Sequence, residues 1–253
     1  MELARTAAIV TGAASGLGAA TAAALAAAGA TVHGFDLGPA VAAVRDAPAG
    51  VRYADVDVCD PAAVRAAVDR AAGGGEPLRT VVNCAGIAPS QRILGRRGAH
   101  DLDLFARVVQ VNLIGTFTVL TLAAERIAET TPDRHGQRGV IVNTASVAAY
   151  EGQVGQAAYA SSKGGVVALT LPAARDLAQQ GIRVMTIAPG IMLTPMMRTV
   201  SPEFRAGLGA GVPFPSRLGE PGEHAALVLS IIGNDYLNGE VIRLDGALRM
   251  SPR

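Results

Sequence analysis

Short apolar runs alternate along the chain with longer stretches of helical character. The short runs are continuous in Val and Ile rather than apolar at every second position, a pattern typical of strands buried on both faces. They predict strands at residues 7–10, 31–35, 51–54, 80–82, 140–143, 183–187 and 240–244. The helical stretches are residues 17–28, 40–45, 62–72, 103–129 and 156–180. This alternation predicts an α/β fold with a doubly wound parallel sheet of about seven strands and helices on both faces.

The sequence contains neither an internal repeat nor an obvious linker, so residues 1–253 are predicted to form a single domain. Residues 87–100 and 191–221 have no regular pattern, and each stretch follows a predicted strand. Loops at the carboxyl edge of an open parallel sheet form ligand crevices. We therefore expect these two irregular loops to border a substrate.

Composition narrows the choice of partners. The chain has 22 basic and 21 acidic residues, a net charge of +1, which gives no reason to expect nucleic acid or an anionic membrane as a partner. Cys59 and Cys84 lack the spacing of a metal site or a disulfide framework, and the four histidines show no metal spacing, so no metal is predicted. The N-terminus shows no signal-peptide pattern, and we expect a cytoplasmic location.

A glycine-rich loop connects the first predicted strand to the first predicted helix. Its glycines are Gly12, Gly16 and Gly18, with Ser15 and Leu17 between them. Glycines allow a tight turn and let backbone N–H groups approach a phosphate, and the helix N-terminus adds a partial positive charge. The loop is therefore predicted to bind a phosphate group. A glycine-rich turn without a ligand is the structural alternative.

Asp36 ends the second predicted strand, about 20 residues after this loop. An acidic residue at that position can accept hydrogen bonds from an adenosine ribose and would repel a 2′-phosphate. Positions 13, 14 and 37 carry no Lys or Arg that would attract such a phosphate. Asp36 thus favours NAD over NADP as the cofactor, unless it is simply a solvated loop residue.

Ser146, Tyr159 and Lys163 suggest the chemistry. Tyr159 and Lys163 are four residues apart, so in a helix they share one face. An ammonium beside a phenol favours the phenolate, which predicts a pKa for Tyr159 below its usual value of about 10. Tyr159 could then act as a general base for a hydroxyl group. Each residue also has an ordinary explanation, as a turn serine, a core tyrosine or a solvated lysine.

Together these motifs resemble the classical short-chain dehydrogenase/reductase family over nearly the whole chain, which implies a Rossmann-like domain. Further matching motifs follow in order: Asp57-Val58, Asn83-Cys84-Ala85-Gly86, Asn112, and Pro189-Gly190 with Met192 and Thr194 beyond it. In the family these positions, apart from Asn112, contact the dinucleotide. Asn112 is implied to hold a water for proton relay. Cys84 also has a simpler interpretation as a small buried apolar residue.

The resemblance implies hydride transfer between a carbinol carbon and NAD. Tyr159 would take the hydroxyl proton, and Lys163 would lower the tyrosine pKa and bind the nicotinamide ribose. Ser146 would hold the substrate oxygen and stabilise its developing charge. Asn112, Ser146, Tyr159 and Lys163 are thus the implied catalytic residues, and Tyr159 and Lys163 also contact the cofactor.

Four stretches are similar to the type-2 3-hydroxyacyl-CoA dehydrogenase subgroup: TASVAAYEGQVGQAAYASSKGG, IRVMTIAPG, VPFPSRLGEP and LNGEVIRLDGALRM. This similarity implies oxidation of an (S)-3-hydroxyacyl-CoA to the 3-oxoacyl-CoA by a homotetramer. Gln153 and Gln156 are implied to hydrogen-bond the substrate's acyl or thioester group. Three arginines of the variable loop could contact the phosphates of coenzyme A or could be solvated: Arg92, Arg96 and Arg97. Three later methionines could form an apolar pocket or lid, or could be ordinary packed residues: Met192, Met196 and Met197.

Three other functions remain open. The chain could be a hydroxysteroid or other secondary-alcohol dehydrogenase, since the Ser–Tyr–Lys pattern defines the reaction better than the substrate. It could be a 3-oxoacyl carrier-protein reductase, although those usually prefer NADPH and Asp36 argues against it. It could also be a binding protein on a degenerate enzyme fold. A scaffold need not retain the complete set of four catalytic residues.

Overall fold

The computed structural model describes residues 1–96, 98–198 and 200–252. Its strands are β1 (Ala7–Thr11), β2 (Thr31–Asp36), β3 (Val51–Asp55), β4 (Leu78–Asn83), β5 (Leu94–Gly95), β6 (Gly98–Ala99), β7 (Gly139–Thr144), β8 (Ile182–Pro189) and β9 (Val241–Leu244). Strands β5 and β6 form a small antiparallel hairpin. The other seven form one sheet in the order β3-β2-β1-β4-β7-β8-β9, with every neighbouring pair parallel. The prediction of a parallel sheet of about seven strands is confirmed.

Helices connect these strands. They are α1 (Gly16–Ala27), α2 (Gly38–Ala42), α3 (Pro61–Ala72), α4 (Leu102–Val109), α5 (Thr116–Ala128), α6 (Ala157–Leu177), α7 (Pro195–Arg198), α8 (Pro202–Ala210) and α9 (Pro221–Gly233). A π-helical turn at Gln110–Gly115 joins α4 to α5, so the long predicted helix at 103–129 is interrupted in its first half. Short 3₁₀ turns occupy Val147–Ala149 and Ala178–Gln180.

The sheet is covered on both faces, as the continuous apolar strands predict. On one face, residues such as Ile9 and Ile141 pack with buried side chains of α3, α5 and α6. On the other, residues such as Val10 and Ile187 pack with α1 and α9. Neighbouring residues of one strand therefore point into two separate apolar layers, which is why these strands carry no polar alternation.

The side of the sheet to which successive strands are added changes between β1 and β4. Strands β1, β2 and β3 extend to one side, and β4, β7, β8 and β9 extend to the other. The loops that leave β1 and β4 therefore separate and open a crevice at the carboxyl edge of the sheet. This topology sets the position of the functional site.

Residues 191–221 are not wholly irregular, which corrects the sequence-based prediction. They contain α7 and α8, and the unpredicted helix α9 begins at Pro221. Ser201 caps α8 by accepting the Phe204 N–H at 3.2 Å. At the start of α9, the Glu223 carboxylate accepts the Glu220 N–H at 2.7 Å. Proline in the first turn and this reciprocal cap were readable signals of α9.

Arg183, on β8, stabilises the end of α9 from inside the protein. Its guanidinium donates to the carbonyls of Ile231 and Ile232 at 3.0 Å each and to the Leu237 carbonyl at 2.9 Å. Its Nε donates to Gln137 Oε1 at 2.7 Å. Burial lowers the pKa of Arg183, opposed by the charges of nearby aspartates. The side chain therefore satisfies helix-end carbonyls that have no partner within the helix.

Candidate active site

A cleft of about 550 Å³ opens at the carboxyl ends of the central strands. Most of the site residues predicted from sequence line it: Gly12, Ser15, Gly16, Leu17, Gly18, Asp36, Asp57, Val58, Cys84, Ala85, Gly86, Ser146, Gln156, Tyr159, Lys163, Pro189, Gly190, Met192 and Thr194. Asn83, Asn112 and Gln153 are not among the lining residues. The cleft has the size of a typical small-molecule or cofactor site.

The glycine loop closes one end of the cleft. Gly12 has a φ of +63°, and a Cβ there would lie 2.9 Å from the Ala85 nitrogen. A Cβ on Gly18 would lie 2.6 Å from the carbonyl carbon of Gly12. Ser15 is the N-cap of α1, its side chain makes no cap hydrogen bond, and the first turn contains no acidic residue. The end of α1 therefore suits a phosphate by shape, by available donors and by charge.

Thr11 holds the two sides of the crevice together, a role that the sequence reasoning missed. Its Oγ1 accepts hydrogen bonds from the backbone N–H groups of Cys84 and Ala85, both at 3.1 Å. These bonds join the end of β1 to the loop after β4. A single threonine at a strand end carries no recognisable sequence signal for such a contact.

Asp36 lies on the cleft wall at the end of β2. Its two carboxylate oxygens accept the N–H groups of Ala14 at 2.9 Å and Leu37 at 2.8 Å. A carboxylate can accept about four hydrogen bonds, so each oxygen retains capacity for a ligand hydroxyl. Asp57, farther along the same wall, accepts the Cys59 N–H at 2.9 Å. The Asp36 side chain is held in place and remains able to accept from a ribose.

Ser146 and Tyr159 face each other in the cleft. Ser146 begins the 3₁₀ turn after β7, and its Oγ accepts the Ala148 N–H at 3.1 Å. Burial raises the pKa of Tyr159, and a hydrogen bond from Ser146 opposes that rise. The prediction from sequence that the pKa of Tyr159 is lowered is therefore wrong. Desolvation of the phenolate outweighs the stabilisation by Ser146.

Lys163 lies behind Tyr159, one helical turn along α6. Its Nζ donates to the Thr144 carbonyl at 2.7 Å and lies 5.9 Å from the centroid of the Tyr159 ring. The side chain is buried, and burial lowers its pKa to about 8, with Cys84 opposing the shift. The ammonium is thus bound to a backbone carbonyl rather than to the phenol, which is why it does not lower the tyrosine pKa as expected.

Asn112 lies in the π-helical turn and is fully buried. Its Oδ1 accepts the Ile87 N–H at 2.8 Å, while its Nδ2 donates to the Ile87 carbonyl at 2.9 Å and to Ser162 Oγ at 3.0 Å. A Cβ on Gly86 would lie 3.1 Å from Asn112 Oδ1. The side chain therefore fixes the loop after β4 beside Lys163. The proton-relay role of this residue stays a prediction.

Asn83 is the last residue of β4, and Cys84, which follows it, lines the cleft. Asn83 is buried and donates through Nδ2 to Asn143 Oδ1 at 2.9 Å, across two neighbouring strands. Cys84 Sγ accepts from Thr144 Oγ1 at 3.6 Å, and burial raises the pKa of the thiol to about 11. The thiol stays protonated near neutral pH, which is unfavourable for a nucleophile.

The substrate side of the cleft is formed by the loops around residues 87–90 and 153–156. Gln156 lines the cleft, and its Oε1 accepts the Gln153 N–H at 3.0 Å. The Gln153 side chain instead donates to the Ser251 carbonyl at 3.0 Å, so it is directed to the chain's end rather than to the cleft. Ser90 lines the cleft beside this loop, where the Gly155 carbonyl accepts the Gln91 N–H at 2.9 Å.

Of the arginines predicted to contact coenzyme A, those that the structure describes do not line the cleft. Arg92 and Arg96 are exposed and do not line the cleft, and Arg97 lies outside the described residues. Met197 lines the cleft together with Met192, whereas the Met196 side chain lies outside the described part of the structure. The wall also includes residues that sequence reasoning missed: Ile87, Arg107, Val111, Thr144, Pro195 and Met250.

Within residues 1–96, 98–198 and 200–252 no group of three or more His, Cys, Asp or Glu side chains could hold a metal ion. The site's polar groups are instead a hydroxyl, a phenol, a buried amine and the backbone donors of a glycine loop. Such a set suits proton transfer next to a bound dinucleotide.

The sequence comparisons agree with this class of site. Residues 6–204 match the family model described as short chain dehydrogenase. A 3-hydroxyacyl-CoA dehydrogenase type-2 from Bos taurus is 53% identical over 249 residues, which cover 97% of this chain and 95% of that protein.

Solved structures are similar over almost the whole chain. The crystal structure of a 3-hydroxyacyl-CoA dehydrogenase type-2 from Mycobacterium avium has a TM-score of 0.91 and 42% identity, covering 98% of each chain. A 3-oxoacyl-[acyl-carrier protein] reductase from Brucella melitensis has a TM-score of 0.86 and 31% identity, covering 99% of this chain and 93% of that one.

Fold and site define a nicotinamide-dependent oxidoreductase built on a doubly wound parallel sheet. The chain belongs to the short chain dehydrogenase family. Its reaction is the transfer of a hydride between a secondary alcohol and the nicotinamide cofactor.

Proposed function

We propose that this chain is an NAD-dependent dehydrogenase that oxidises (S)-3-hydroxyacyl-CoA to 3-oxoacyl-CoA. The observation that carries the proposal is the Ser146–Tyr159–Lys163 arrangement beside a glycine-loop cleft. The 53% identity to a 3-hydroxyacyl-CoA dehydrogenase type-2 over 97% of the chain supports the choice of substrate class.

Tyr159 is the proposed general base for the substrate hydroxyl. The Tyr159 and Ser146 side chains both line the cleft, so one substrate oxygen can contact the two hydroxyl groups. Ser146 donates to that oxygen as it becomes a carbonyl. Because burial raises the pKa of Tyr159 in the free protein, the base requires added positive charge in the loaded site.

Lys163 is the proposed residue for binding the nicotinamide ribose. One of its three N–H groups is used on the Thr144 carbonyl, and the others can reach a ribose hydroxyl or a water in the cleft. Bound NAD would contribute the hydride-accepting carbon and a positively charged ring. Gly12, Gly16 and Gly18 would hold its pyrophosphate, and Pro189, Gly190 and Thr194 would border its nicotinamide.

Asp36 supports NAD rather than NADP. Two backbone N–H groups fix its carboxylate at the end of β2, facing the cleft. A fixed carboxylate accepts from ribose hydroxyls and repels a 2′-phosphate at short range. We propose that this residue sets the cofactor preference.

The experiment is a panel assay of nicotinamide reduction, followed by absorbance. It compares (S)- and (R)-3-hydroxyacyl-CoAs and a 17β-hydroxysteroid, each with NAD and with NADP, and includes the reverse reaction of a 3-oxoacyl carrier-protein thioester. We expect the highest kcat/KM with an (S)-3-hydroxyacyl-CoA and NAD. A higher value with the steroid, or with the carrier-protein substrate and NADPH, would refute the proposal and identify the alternative. Tyr159→Phe serves as the control for contaminating activity.

A homotetramer is the proposed assembly, and the α4–α5 segment is a candidate interface. Leu102–Ala128 is long and apolar enough to cross a membrane by length and composition, yet it is packed as a helix against α3 and α6. Its outer side exposes Phe105, Ile114 and Phe117, the last to 50%. Burial of these side chains against a second copy would remove an apolar patch from water. We expect Phe117→Glu to reduce the mass found by analytical ultracentrifugation.

The cytoplasmic location is likewise a proposal, supported by the absence of a disulfide between Cys59 and Cys84. Fractionation of the native cells with detection of the protein tests it.

A further inference from the structure

The last residues of the chain return to the cleft. The carboxyl-terminal tail, defined here as residues 246–252, leaves β9 and runs beside the loop between Ser146 and Tyr159. The Val154 N–H donates to the Pro252 carbonyl at 3.1 Å, and Gln153 Nε2 donates to the Ser251 carbonyl at 3.0 Å. Met250, between these contacts and β9, lines the cleft. The tail therefore contributes to the substrate side rather than to the Asp36 end.

A four-membered charge network holds the tail. Both carboxylate oxygens of Glu151 accept hydrogen bonds from Arg243, at 2.8 and 3.2 Å. Arg249 Nε lies 3.3 Å from Glu151 Oε1. Asp245 Oδ2 contacts Arg243 Nε at 2.7 Å and Arg249 Nη1 at 3.2 Å. Two carboxylates and two guanidiniums balance in charge. The Glu151, Arg243 and Asp245 side chains are 21%, 23% and 7% exposed, so solvent screens the contacts among these three less than a surface pair, whereas Arg249 is 61% exposed.

Glu151 also binds the tail backbone directly. Its Oε2 accepts the Met250 N–H at 2.9 Å, and Arg243 Nη2 donates to the Leu248 carbonyl at 3.0 Å. Leu248 is itself buried. The residue that fixes Met250 is thus five positions after Ser146, on the loop that carries the substrate wall.

The same network also contacts the turn after β8, which lines the cleft. The Gly190 N–H donates to the Leu244 carbonyl at 2.9 Å, and a Cβ on Gly190 would lie 3.0 Å from the Asp245 Cα. Asp245 is therefore packed against the turn after β8 while its carboxylate is bonded to both arginines. The network therefore joins Met250 to the turn after β8, both of which line the cleft.

We infer that Glu151 is a positioning residue that fixes the carboxyl-terminal tail over the cleft, and that Met250 is thereby a determinant of which acyl groups are accepted. The inference deepens the proposed function and rests on it for the identity of the acyl substrate. A methionine suits this position because its flexible thioether side chain adapts to apolar groups of different length. The hydrogen bond from its backbone N–H to Glu151 holds its main chain beside the cleft.

The first experiment needs no substrate. Hydrogen exchange of the backbone amides of Val154 and Met250 is compared in the wild type, Glu151→Gln and Glu125→Gln. Glu125 pairs with Arg65 on an exposed surface, so it is a matched control for the loss of one carboxylate. We expect exchange at both amides to become about tenfold or more faster in Glu151→Gln only. Exchange at the wild-type rate in Glu151→Gln would overturn the anchoring role.

The second experiment measures kcat and KM for 3-hydroxyacyl-CoAs with a short and a long acyl chain. We expect Met250→Ala to change the long-to-short ratio of kcat/KM by about tenfold, mainly through KM, because a pocket wall has been cut back. Glu151→Gln should move the ratio in the same direction and Glu125→Gln should not. An unchanged ratio in Met250→Ala would overturn the specificity role. Met250→Ala leaves the Glu151 side chain in place, so this variant tests the wall independently of how well Glu151→Gln folds.

The two failures are distinguishable. If wild-type protein oxidises no acyl-CoA, the proposed function fails, while hydrogen exchange still tests the anchoring of the tail. If acyl-CoAs are oxidised and the ratio is constant across the variants, the proposed function stands and the inference fails.

Discussion

Lys163 allows a direct test of how burial lowers a pKa, because it is the one lysine among 253 residues. Burial lowers its pKa from 10.5 to about 8 in the folded protein. The perturbation we consider is Lys163→Met, which removes the titrating amine but keeps an unbranched chain of comparable length. The variant also removes the hydrogen bond to the Thr144 carbonyl. That loss is independent of pH to a first approximation, so it cancels when the pH dependence of the two proteins is compared.

The expected change in unfolding free energy with pH follows from the lowered pKa of Lys163. The folded pKa is lower than the unfolded one, so the folded protein releases its proton first as the pH rises. The unfolded state therefore binds more protons between about pH 8 and 10.5, and the stability contributed by this group rises with pH across that window. The full shift corresponds to roughly 3 kcal/mol. Between about pH 7 and pH 9.5, the wild type should gain about 2 kcal/mol of unfolding free energy relative to Lys163→Met.

Two measurements check the prediction. Lysine labelled with ¹³C at Cε should give one side-chain resonance, and we expect it to titrate with a midpoint near 8. Urea denaturation of both proteins at fixed concentration, at pH 7 and pH 9.5, measures the difference in unfolding free energy. Cys84, with a pKa of about 11, stays protonated over this range in both proteins. A resonance that titrates near 10.5, or a stability difference that is constant with pH, would refute the reasoning.

Four further predictions concern the base, the cofactor and the fold. Tyr159→Phe should reduce kcat by about 10²–10⁴-fold while leaving NADH binding, followed by fluorescence, near the wild-type level. Asp36→Ala should lower the NAD-to-NADP ratio of kcat/KM by about tenfold or more, and an unchanged ratio would contradict the ribose-binding role. Gly18→Ala should weaken NADH binding in calorimetry, because the new Cβ overlaps the Gly12 carbonyl. Arg183→Met should lower the unfolding free energy in urea by about 3 kcal/mol, since buried carbonyls lose their donors.

The predictable part of the fold was the sheet and its long helices. Seven short runs rich in Val and Ile identified the seven strands of the main sheet, and the central strands lack polar alternation because they are buried on both faces. The helices after residue 191 were missed, since α7 and α8 are short and lie in a stretch rich in Pro and Gly. Pro221 and Glu223 indicate the start of α9, but a search for apolar periodicity alone does not take such residues into account.

The candidate site was only partly readable from the sequence. Glycine spacing and the Tyr159–Lys163 interval located residues that do line one cleft. The sequence reasoning placed Gln153 on the cleft, but Gln153 does not line it: its amide nitrogen donates to the Ser251 carbonyl and its amide oxygen accepts from Gln156. It also expected a low pKa for Tyr159, whereas burial raises it. Neither burial nor a backbone partner such as the Thr144 carbonyl can be read from residue identities.

The sequence by itself determined the class of fold and the set of groups available for chemistry, because both depend on local spacing and residue type. Only the tertiary structure decided which groups meet and in which protonation state. Lys163 has a lowered pKa because α6 buries it against β7, and Asn112 fixes a loop because a π-helical turn directs it there. Met250 joins the cleft through Glu151, 99 residues away in sequence. Desolvation and long-range contact are properties of packing, and packing is set by the whole chain.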